Sequence, residues 1–128
     1  MNGMFHNQIL DLIPDGGNAI DIGAHVGIWS RQLVKKFDTV YAWEPIESNC
    51  ECLRKNVPEA TIIPFGAASK QKKMAFMRPE TEGNYGGYQL STSGELVIMK
   101  VVDDFDFKNV RFIQMHIKGT EYDALLGC

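Results

Sequence analysis

Residues 19–27 read Ala-Ile-Asp-Ile-Gly-Ala-His-Val-Gly, and apolar side chains recur at helical spacing in the residues that follow. A short apolar run ending in an acid predicts a β-strand, and two glycines four positions apart predict a turn into an amphipathic helix. In α/β proteins this arrangement brings backbone amides and a carboxylate to the carboxyl edge of a parallel sheet, where nucleotide-like ligands bind. Alone, the turn also fits a structural interpretation in which glycine only supplies backbone freedom.

The position of the acid in this turn bears on the ligand. A dinucleotide fingerprint reads Gly-x-Gly-x-x-Gly and keeps its acidic residue for the next strand. Here the acid precedes the first glycine, and a histidine stands where a dinucleotide loop has its middle glycine. This order favours S-adenosylmethionine over NAD and indicates five cofactor-binding residues, Asp21, Gly23, Ala24, His25 and Gly27. Asp21 either holds the loop or accepts hydrogen bonds from water or from the amino-acid part of the ligand.

Strand-like and helical segments alternate over the first half of the chain, which predicts βαβ units with right-handed crossovers. The expected fold is α/β, a Rossmann-like and mostly parallel sheet with helices on both faces. A polar, glycine-rich stretch over residues 81–87 predicts a hairpin or a long substrate-side loop. Predicted strands cover residues 19–22, 39–43, 61–65, 72–77, 95–102 and 110–117, and predicted helices cover residues 4–13, 26–37, 47–57 and the segment from 120.

Composition limits the function further. The chain has 128 residues, 45% hydrophobic and 23% charged, with a formal net charge of −3. These values predict one globular domain over residues 1–128, with neither a nucleic acid nor a membrane as partner. No apolar run is long enough to span a bilayer and no signal peptide is evident, so a cytoplasmic location is expected. Cys50 and Cys52 lie two apart on a predicted helix and do not share a face, so no metal site is expected.

Glu44 closes the predicted second strand, 23 residues after Asp21 (44 − 21). A carboxylate at this place can accept both ribose hydroxyls of an adenosine group, as the acid about 20 residues past a dinucleotide loop does. The alternative is a solvated glutamate that precedes Pro45 and caps the next helix. We favour the ribose role because Asp21 and Glu44 occur together.

The last predicted strand carries a third candidate group. His116 lies near the end of that strand, and a neutral imidazole could accept the proton of an acceptor hydroxyl during methyl transfer. A histidine that is hydrogen-bonded within the fold is an equally good interpretation. Glu121 is a candidate orienting acid, although an acid in the first turn of a helix also interacts favourably with the helix dipole.

Taken in order, the blocks resemble those of FkbM-type S-adenosylmethionine-dependent methyltransferases. The resemblance starts near residue 18 and rests on Asp-Ile-Gly-Ala-His-Val-Gly (21–27), Tyr-Ala-Trp-Glu-Pro (41–45), Pro-Phe-Gly-Ala-Ala (64–68), Asn-Tyr-Gly-Gly (84–87) and Val-Val-Asp-Asp-Phe (101–105). It implies a class I methyltransferase fold, S-adenosylmethionine as cofactor, and transfer of the methyl group to a hydroxyl of a small molecule or sugar. It also implies cofactor contacts at Pro45, Gly66 and Ala67 and substrate contacts at Asn84 and Tyr85.

The final block departs from that family's pattern. The family reads Lys-Ile-Asp-Val-Glu-Gly-x-Glu, and this chain reads Gln-Met-His-Ile-Lys-Gly-Thr-Glu over residues 114–121. The chain also lacks the last strands of the family, so we expect a homodimer or another chain to cover the exposed sheet edge. The alternative is that the sequence is a fragment of a longer reading frame. A catalytically inactive S-adenosylmethionine-binding module or partner subunit is therefore the alternative function. A nicotinamide-binding half domain is disfavoured by the glycine spacing.

Overall fold

The strands and helices form two four-stranded sheets with helices packed around the first. The computed structural model describes residues 9–77, 89–91, 95–117 and 119–128. Its elements in chain order are β1 Asn18–Ile22, α1 Ile28–Leu33, β2 Thr39–Trp43, α2 Glu47–Asn56, β3 Thr61–Ile63, β4 Gly66–Ala67, β5 Lys72–Met77, β6 Gln89–Ser91, β7 Glu95–Lys100, a 3-10 helix Val102–Phe105, β8 Val110–Met115 and α3 Glu121–Leu126.

The first sheet is parallel throughout, with the strand order β3-β2-β1-β8. Ile22, at the end of β1, is in register with Trp43 of β2 and with Met115 of β8. The carboxyl ends of three strands therefore meet at one edge. This mixed α/β architecture confirms the predicted Rossmann-like fold class.

Side-chain alternation along the strands gives this sheet two apolar faces. On one face Ala19 and Val40 pack with Leu33 and Phe37, below α1. Still on that face, the α2 residue Leu53 joins a neighbouring cluster, in which Val57, just after α2, is also buried. The opposite face packs against the 3-10 helix and α3 in a cluster that contains Ile20, Ile22, Trp43, Val102 and Ala124. Helices thus cover both faces, as predicted.

The second sheet is mainly antiparallel, and antiparallel pairing of its strands β5 and β7 is what the hairpin alternative for the stretch between them implies. Its order is β4-β7-β5-β6, and β5 pairs antiparallel with both β7 and β6, whereas β4 runs parallel to β7. Two of its strands were predicted, but their separation into a second sheet was not. The predicted loop over residues 81–87 lies outside the described residues. Buried side chains of β7, Val97 and Met99, pack with Ile46 and Ala68 and so join this sheet to the end of β2.

Several element ends differ from the prediction. The helix expected over residues 26–37 spans only Ile28–Leu33, because Gly27 before it has a φ of 104° and residues 34–36 after it form turns. The strands β3 and β8 end two residues earlier than predicted, and of the helix predicted over residues 4–13 the described part is helical at 9–11. The two early strand ends lie at the carboxyl edge of the sheet.

The strand β8 forms one edge of the parallel sheet. Helix α3 packs on the face of the sheet that carries Ile20 of β1 and, in register with it, Ile113 of β8. Three apolar residues of α3 are exposed, namely Tyr122, Leu125 and Leu126. The dimer or partner chain expected to cover this edge stays a prediction. Among the described residues, no helix has both the length and the apolar character needed to cross a bilayer.

Candidate functional site

A cleft that is partly open to solvent lies at the carboxyl edge of the parallel sheet and encloses about 600 Å³, a volume that includes its open mouth. Among the predicted site residues, seven line the cleft: Gly23, His25, Glu44, Pro45, Gly66, Ala67 and His116. Seven further lining residues were not predicted: Ile22, Trp43, Ile46, Asn49, Met99, Ile117 and Thr120.

Glu44 is the one carboxylate among these lining residues, and it is only 2% exposed. Its Oε1 accepts the His25 amide N–H at 2.9 Å, and its Oε2 accepts the Ile46 amide N–H at 2.9 Å and the Asn49 side-chain amide at 3.3 Å. Burial raises the pKa of Glu44, and these three donors oppose that rise because they favour the anion. The carboxylate is therefore fixed in orientation, and since each oxygen can accept two hydrogen bonds, Oε1 keeps capacity for a ligand.

Asp21 is also buried, at 1% exposed, but it does not line the cleft. Its Oδ2 accepts a 2.7 Å hydrogen bond from the Ser30 hydroxyl. Burial raises the pKa of Asp21 from 3.8 to about 6, the Ser30 hydrogen bond lowers it in part, and the charge of Glu44 raises it. Asp21 thus fastens β1 to α1, which agrees with the first of the two roles considered for it from the sequence.

The turn between these acids uses positive φ angles at three residues. Gly23 has a φ of 79°, His25 of 53° and Gly27 of 104°. A Cβ at Gly23 would collide with the His116 carbonyl, and one at Gly27 would lie 2.7 Å from the Val57 side chain. Glycine is required at both places for close packing, whereas a left-handed φ is tolerated by histidine more readily than by most residues.

Successive amides of this turn already have partners within the protein. The N–H groups of Gly23 and Ala24 donate to the Trp43 carbonyl at 2.9 and 3.0 Å, and the next amide donates to Glu44. Ala24 is buried in the cluster beside α2, so neither Ala24 nor Gly27 lines the cleft. The contribution of the turn to the cleft comes from Gly23 and from the side chain of His25.

One wall of the cleft is apolar, and its shape depends on the glycine at position 66. A Cβ at Gly66 would collide with the Met99 sulfur, so glycine lets β4 and β7 come together behind the cleft. Ile46 and Ala67 are buried beside them. Trp43 is fully buried, and its indole Nε1 finds no hydrogen-bond acceptor within the described part of the chain. The wall can accommodate a flat apolar group.

Two imidazoles stand at the more open end. His116 is exposed, its amide donates to the Ile22 carbonyl at 3.0 Å, and its ring meets the His25 ring edge to face, with centroids 5.8 Å apart at 89°. The position of His116 fits the expected base role, which stays a prediction. Glu121 lies outside the cleft, where its carboxylate accepts the Gly119 amide at 3.1 Å. The predicted substrate residues Asn84 and Tyr85 lie outside the described residues.

Signals in the sequence were weak for the residues that the prediction missed. Asn49 follows Glu44 by five positions, and Ser30 follows Asp21 by nine, so neither pair has a local motif. A strand periodicity of two does predict that Asp21 shares a face with Ala19 and so points toward α1. Met99 and Thr120 come from distant segments, and only tertiary folding brings them to the cleft.

Metal and thiol chemistry receive no support from the described residues. Within ranges 9–77, 89–91, 95–117 and 119–128, no three His, Cys, Asp or Glu side chains form a group that could hold a metal ion. The Cys50 thiol donates to the Glu44 carbonyl at 3.0 Å, and burial raises its pKa to about 12. Cys50 is therefore a protonated structural residue and not a nucleophile.

The parallel sheet, the turn after β1 and the cleft at the strand ends together define a methyltransferase-like fold of the Rossmann type. No protein-family model and no curated protein matches the sequence. Among solved structures, the chain is similar to methyltransferase FkbM from Methylobacillus flagellatus KT, with 22% identity and a TM-score of 0.62 over 88% of this chain. It spans 29% of the length of that protein.

A weaker similarity is to an rRNA methylase from Streptococcus thermophilus, with 18% identity and a TM-score of 0.44 over 49% of this chain and 41% of that one. At 22% identity, the similarity to methyltransferase FkbM shows the fold. What the domain binds and which reaction it performs must be argued from its own residues.

Proposed function

We propose that this domain binds S-adenosylmethionine in the cleft and transfers its methyl group to a hydroxyl of a small molecule or sugar. The observation that carries the proposal is Glu44, a buried carboxylate at the end of β2 that three N–H donors hold in place beside an apolar wall. When bound, S-adenosylmethionine would supply a methyl group activated by its positively charged sulfur: an acceptor oxygen would bond to the methyl carbon as the carbon–sulfur bond breaks, and S-adenosylhomocysteine would leave.

The residues of the cleft fit an adenosine group. Glu44 can accept hydrogen bonds from ribose hydroxyls, because Oε1 keeps a free acceptor site. A flat adenine base would pack against Met99 and Ile46, which both line the cleft. The mixture of a mostly apolar lining with a few fixed polar groups is typical of small-molecule sites.

The hydrogen bonds of the turn also make NAD an unfavourable ligand for this cleft. A dinucleotide places its pyrophosphate on free amides of the glycine loop and of the following helix N-terminus. Here the amides of Gly23, Ala24 and His25 donate to the Trp43 carbonyl and to Glu44. A carboxylate that accepts one of these amides would in addition repel a pyrophosphate.

The domain's part in catalysis would be chiefly to position the reactants. Methyl transfer from sulfur to oxygen is an in-line displacement, and holding donor and acceptor in line can supply most of the rate enhancement. The fixed Glu44 carboxylate and the turn held by Trp43 set the position of the donor. Proton removal from the acceptor contributes less, and His116 at the open end is the residue predicted for it.

Titration calorimetry of the purified chain with S-adenosylmethionine, S-adenosylhomocysteine and NAD tests the cofactor. We expect dissociation constants of about 1–100 μM for the first two ligands, ordinary values for cofactor sites, and no measurable heat for NAD. Binding of NAD without binding of S-adenosylhomocysteine would overturn the proposal. Transfer of isotope-labelled methyl groups to a panel of hydroxylated acceptors then separates an enzyme from a module that only binds the cofactor.

A further inference from the structure

Helix α3 stands directly behind part of the cleft lining. Thr120 lines the cleft and immediately precedes α3, and its carbonyl accepts the Ala124 amide at 3.0 Å in the first turn of that helix. The lining residues Gly66 and Ala67 form β4, which belongs to the second sheet. The shape of the cleft therefore depends on how α3 is placed against the segment that includes β4.

Apolar packing anchors α3 at few points. Of its six described residues only Ala124 is buried, and it packs in the cluster that contains Ala67. Just beyond the helix, Gly127 lies so close to the Ala68 carbonyl that a Cβ would collide with it. Three apolar side chains of α3 are exposed, and a helix of this length is not stable by itself. Its position therefore depends on further contacts with the rest of the fold.

A polar cluster of Ser69, Lys72 and Asp123, called here the Asp123 cluster, supplies such contacts. One carboxylate oxygen of Asp123 accepts the Ser69 hydroxyl at 2.6 Å, and the other accepts Lys72 Nζ at 2.9 Å. The Ser69 hydrogen bond and, next, that of Lys72 hold the pKa of Asp123 below its usual range, so the carboxylate is ionised at neutral pH. Since the side chains of Lys72 and Asp123 are each only 32% exposed, their ion pair is partly shielded from water.

We propose that Asp123 is a positioning residue for the cleft, which holds α3 and the adjoining Thr120 in place against the segment after β4. This assignment rests on the proposed function, because it concerns the same cleft. Asp123 follows Thr120 by three residues and Ser69 follows Ala67 by two, so the cluster joins the two segments within about one helical turn of the lining. Asp123 does not itself line the cleft, so its effect on a ligand passes through the position of α3.

A competing role for Asp123 is local, because a negative charge in the first turn stabilises a helix through its dipole. The variant Lys72→Met separates the two roles, since it removes the cation and leaves the sequence of α3 unchanged. The variant Asp123→Asn removes the charge and keeps an acceptor for the Ser69 hydroxyl. Calorimetry with S-adenosylhomocysteine would compare the parent chain, both single variants and the double variant.

Asp106→Asn is the matched control. Asp106 forms an ion pair of 2.7 Å with Lys108, and neither residue lines the cleft. Asparagine tolerates the φ of 51° at this position, so the substitution breaks an ion pair without straining the backbone.

We expect Asp123→Asn and Lys72→Met each to bind S-adenosylhomocysteine about threefold more weakly, which is within the range for a partly exposed ion pair. The double variant should also lose about threefold, because both substitutions remove the same interaction. Asp106→Asn should stay within about 1.5-fold of the parent chain. Without ligand, the Ala124 and Gly127 amides should exchange hydrogen about threefold faster in both single variants, while the Cys50 amide of α2 should be unaffected.

Unchanged S-adenosylhomocysteine affinity in Lys72→Met would overturn the proposal and leave Asp123 with its local role in α3. Losses that multiply in the double variant would also overturn it, since they would mean two unrelated effects. Failure of the parent chain to bind S-adenosylhomocysteine would instead reject the proposed function, so the two failures can be told apart. Hydrogen exchange needs no ligand and reports separately whether the Asp123 cluster holds α3. Thermal melting of each variant verifies that it is folded.

Discussion

Asp21 and Glu44 look alike in the sequence, since each is an acid at the carboxyl end of a parallel strand, yet the fold uses them differently. Asp21 belongs to the face of β1 that packs under α1, and a single serine hydroxyl is its side-chain donor. Glu44 follows the last residue of β2, and three N–H donors hold it against the cleft. Being buried at a strand end does not make an acid a ligand contact; the face on which it lies decides that.

The hydrogen-bond donors around the two acids also differ in kind. Glu44 accepts N–H groups on both oxygens, so an uncharged amide in its place would set its NH₂ group against a donor. Asp21 accepts a hydroxyl that can rotate, so an amide in its place can keep the hydrogen bond. Replacing Glu44 by glutamine should therefore weaken ligand binding, whereas replacing Asp21 by asparagine should leave ligand binding unchanged and stabilise the fold at neutral pH.

The largest expected effect is on cofactor binding by Glu44→Gln. This variant should bind S-adenosylhomocysteine about 1000-fold more weakly, roughly 4 kcal/mol, because the hydrogen bond from a ribose hydroxyl loses its charged acceptor and the new NH₂ group faces one of the N–H donors that hold the side chain. Asp21→Asn should bind it within about threefold of the parent chain. Calorimetry on the two variants decides the matter, and equal losses in both would erase the functional distinction between the acids.

The next effect is on the pH dependence of stability. The pKa of Asp21 is raised from 3.8 to about 6 in the folded chain, so the folded state binds more protons than the unfolded state across that window. The free energy of unfolding should therefore fall as pH rises from about 4 to 6, by about 3 kcal/mol from this residue.

In Asp21→Asn that fall should be smaller by the same amount, so the variant should be the more stable chain above pH 6. Urea denaturation at pH 4 and at pH 7 measures the difference. Identical pH profiles for variant and parent would show that the Asp21 carboxyl titrates normally in the fold.

Substituting the partners of the two acids gives an intermediate effect. Ser30→Ala removes the hydroxyl donor of Asp21 and should lower the free energy of unfolding by about 2 kcal/mol at pH 8, with unchanged ligand affinity. Asn49→Ala removes one donor of Glu44 and should weaken S-adenosylhomocysteine binding about fivefold, close to 1 kcal/mol. Denaturation and calorimetry on both variants should show this crossed pattern. A change in affinity with Ser30→Ala would contradict it.

The smallest effect concerns the turn that joins the two acids. His25→Asn should change the free energy of unfolding by less than about 0.5 kcal/mol, because asparagine accepts a positive φ and the backbone hydrogen bond to Glu44 is kept. His25→Val should cost about 2 kcal/mol, since a β-branched residue is strained at this φ. Thermal melting compares them, and equal melting temperatures would show that the positive φ imposes no cost.

Much of the fold could be predicted from the sequence because its signals are local. Strand β1, the turn at Gly23 and the second strand ending at Trp43 follow from apolar runs and glycine spacing, and the parallel sheet follows from their alternation with helices. A separate second sheet could not be predicted in the same way, because it also needs β4 to pair with β7, a segment distant in the sequence. Helix α1 was predicted too long, since the left-handed conformation of Gly27 has no periodic signal.

The residues of the site likewise divide into those with a local signal in the sequence and those that only the folded structure brings together. Glu44 and Gly66 could be located from their places at strand ends or in a resembling block, and both line the cleft. The direction of Asp21 was available from strand alternation, but the presence of Ser30 as its partner was not. Met99 and Thr120 had no signal, because only the folded sheet brings their distant segments to the cleft.

Trp43 gives the cleft a built-in optical probe. It is one of two tryptophans in the chain, it is fully buried, and it forms part of the wall that a ligand would touch. The Trp43 indole packs edge to face against Phe105, with ring centroids 4.9 Å apart. Its fluorescence should therefore change when a ligand binds beside it. A Trp29→Phe background leaves Trp43 as the sole indole fluorophore, so occupancy of the cleft can be followed by light in the unlabelled protein.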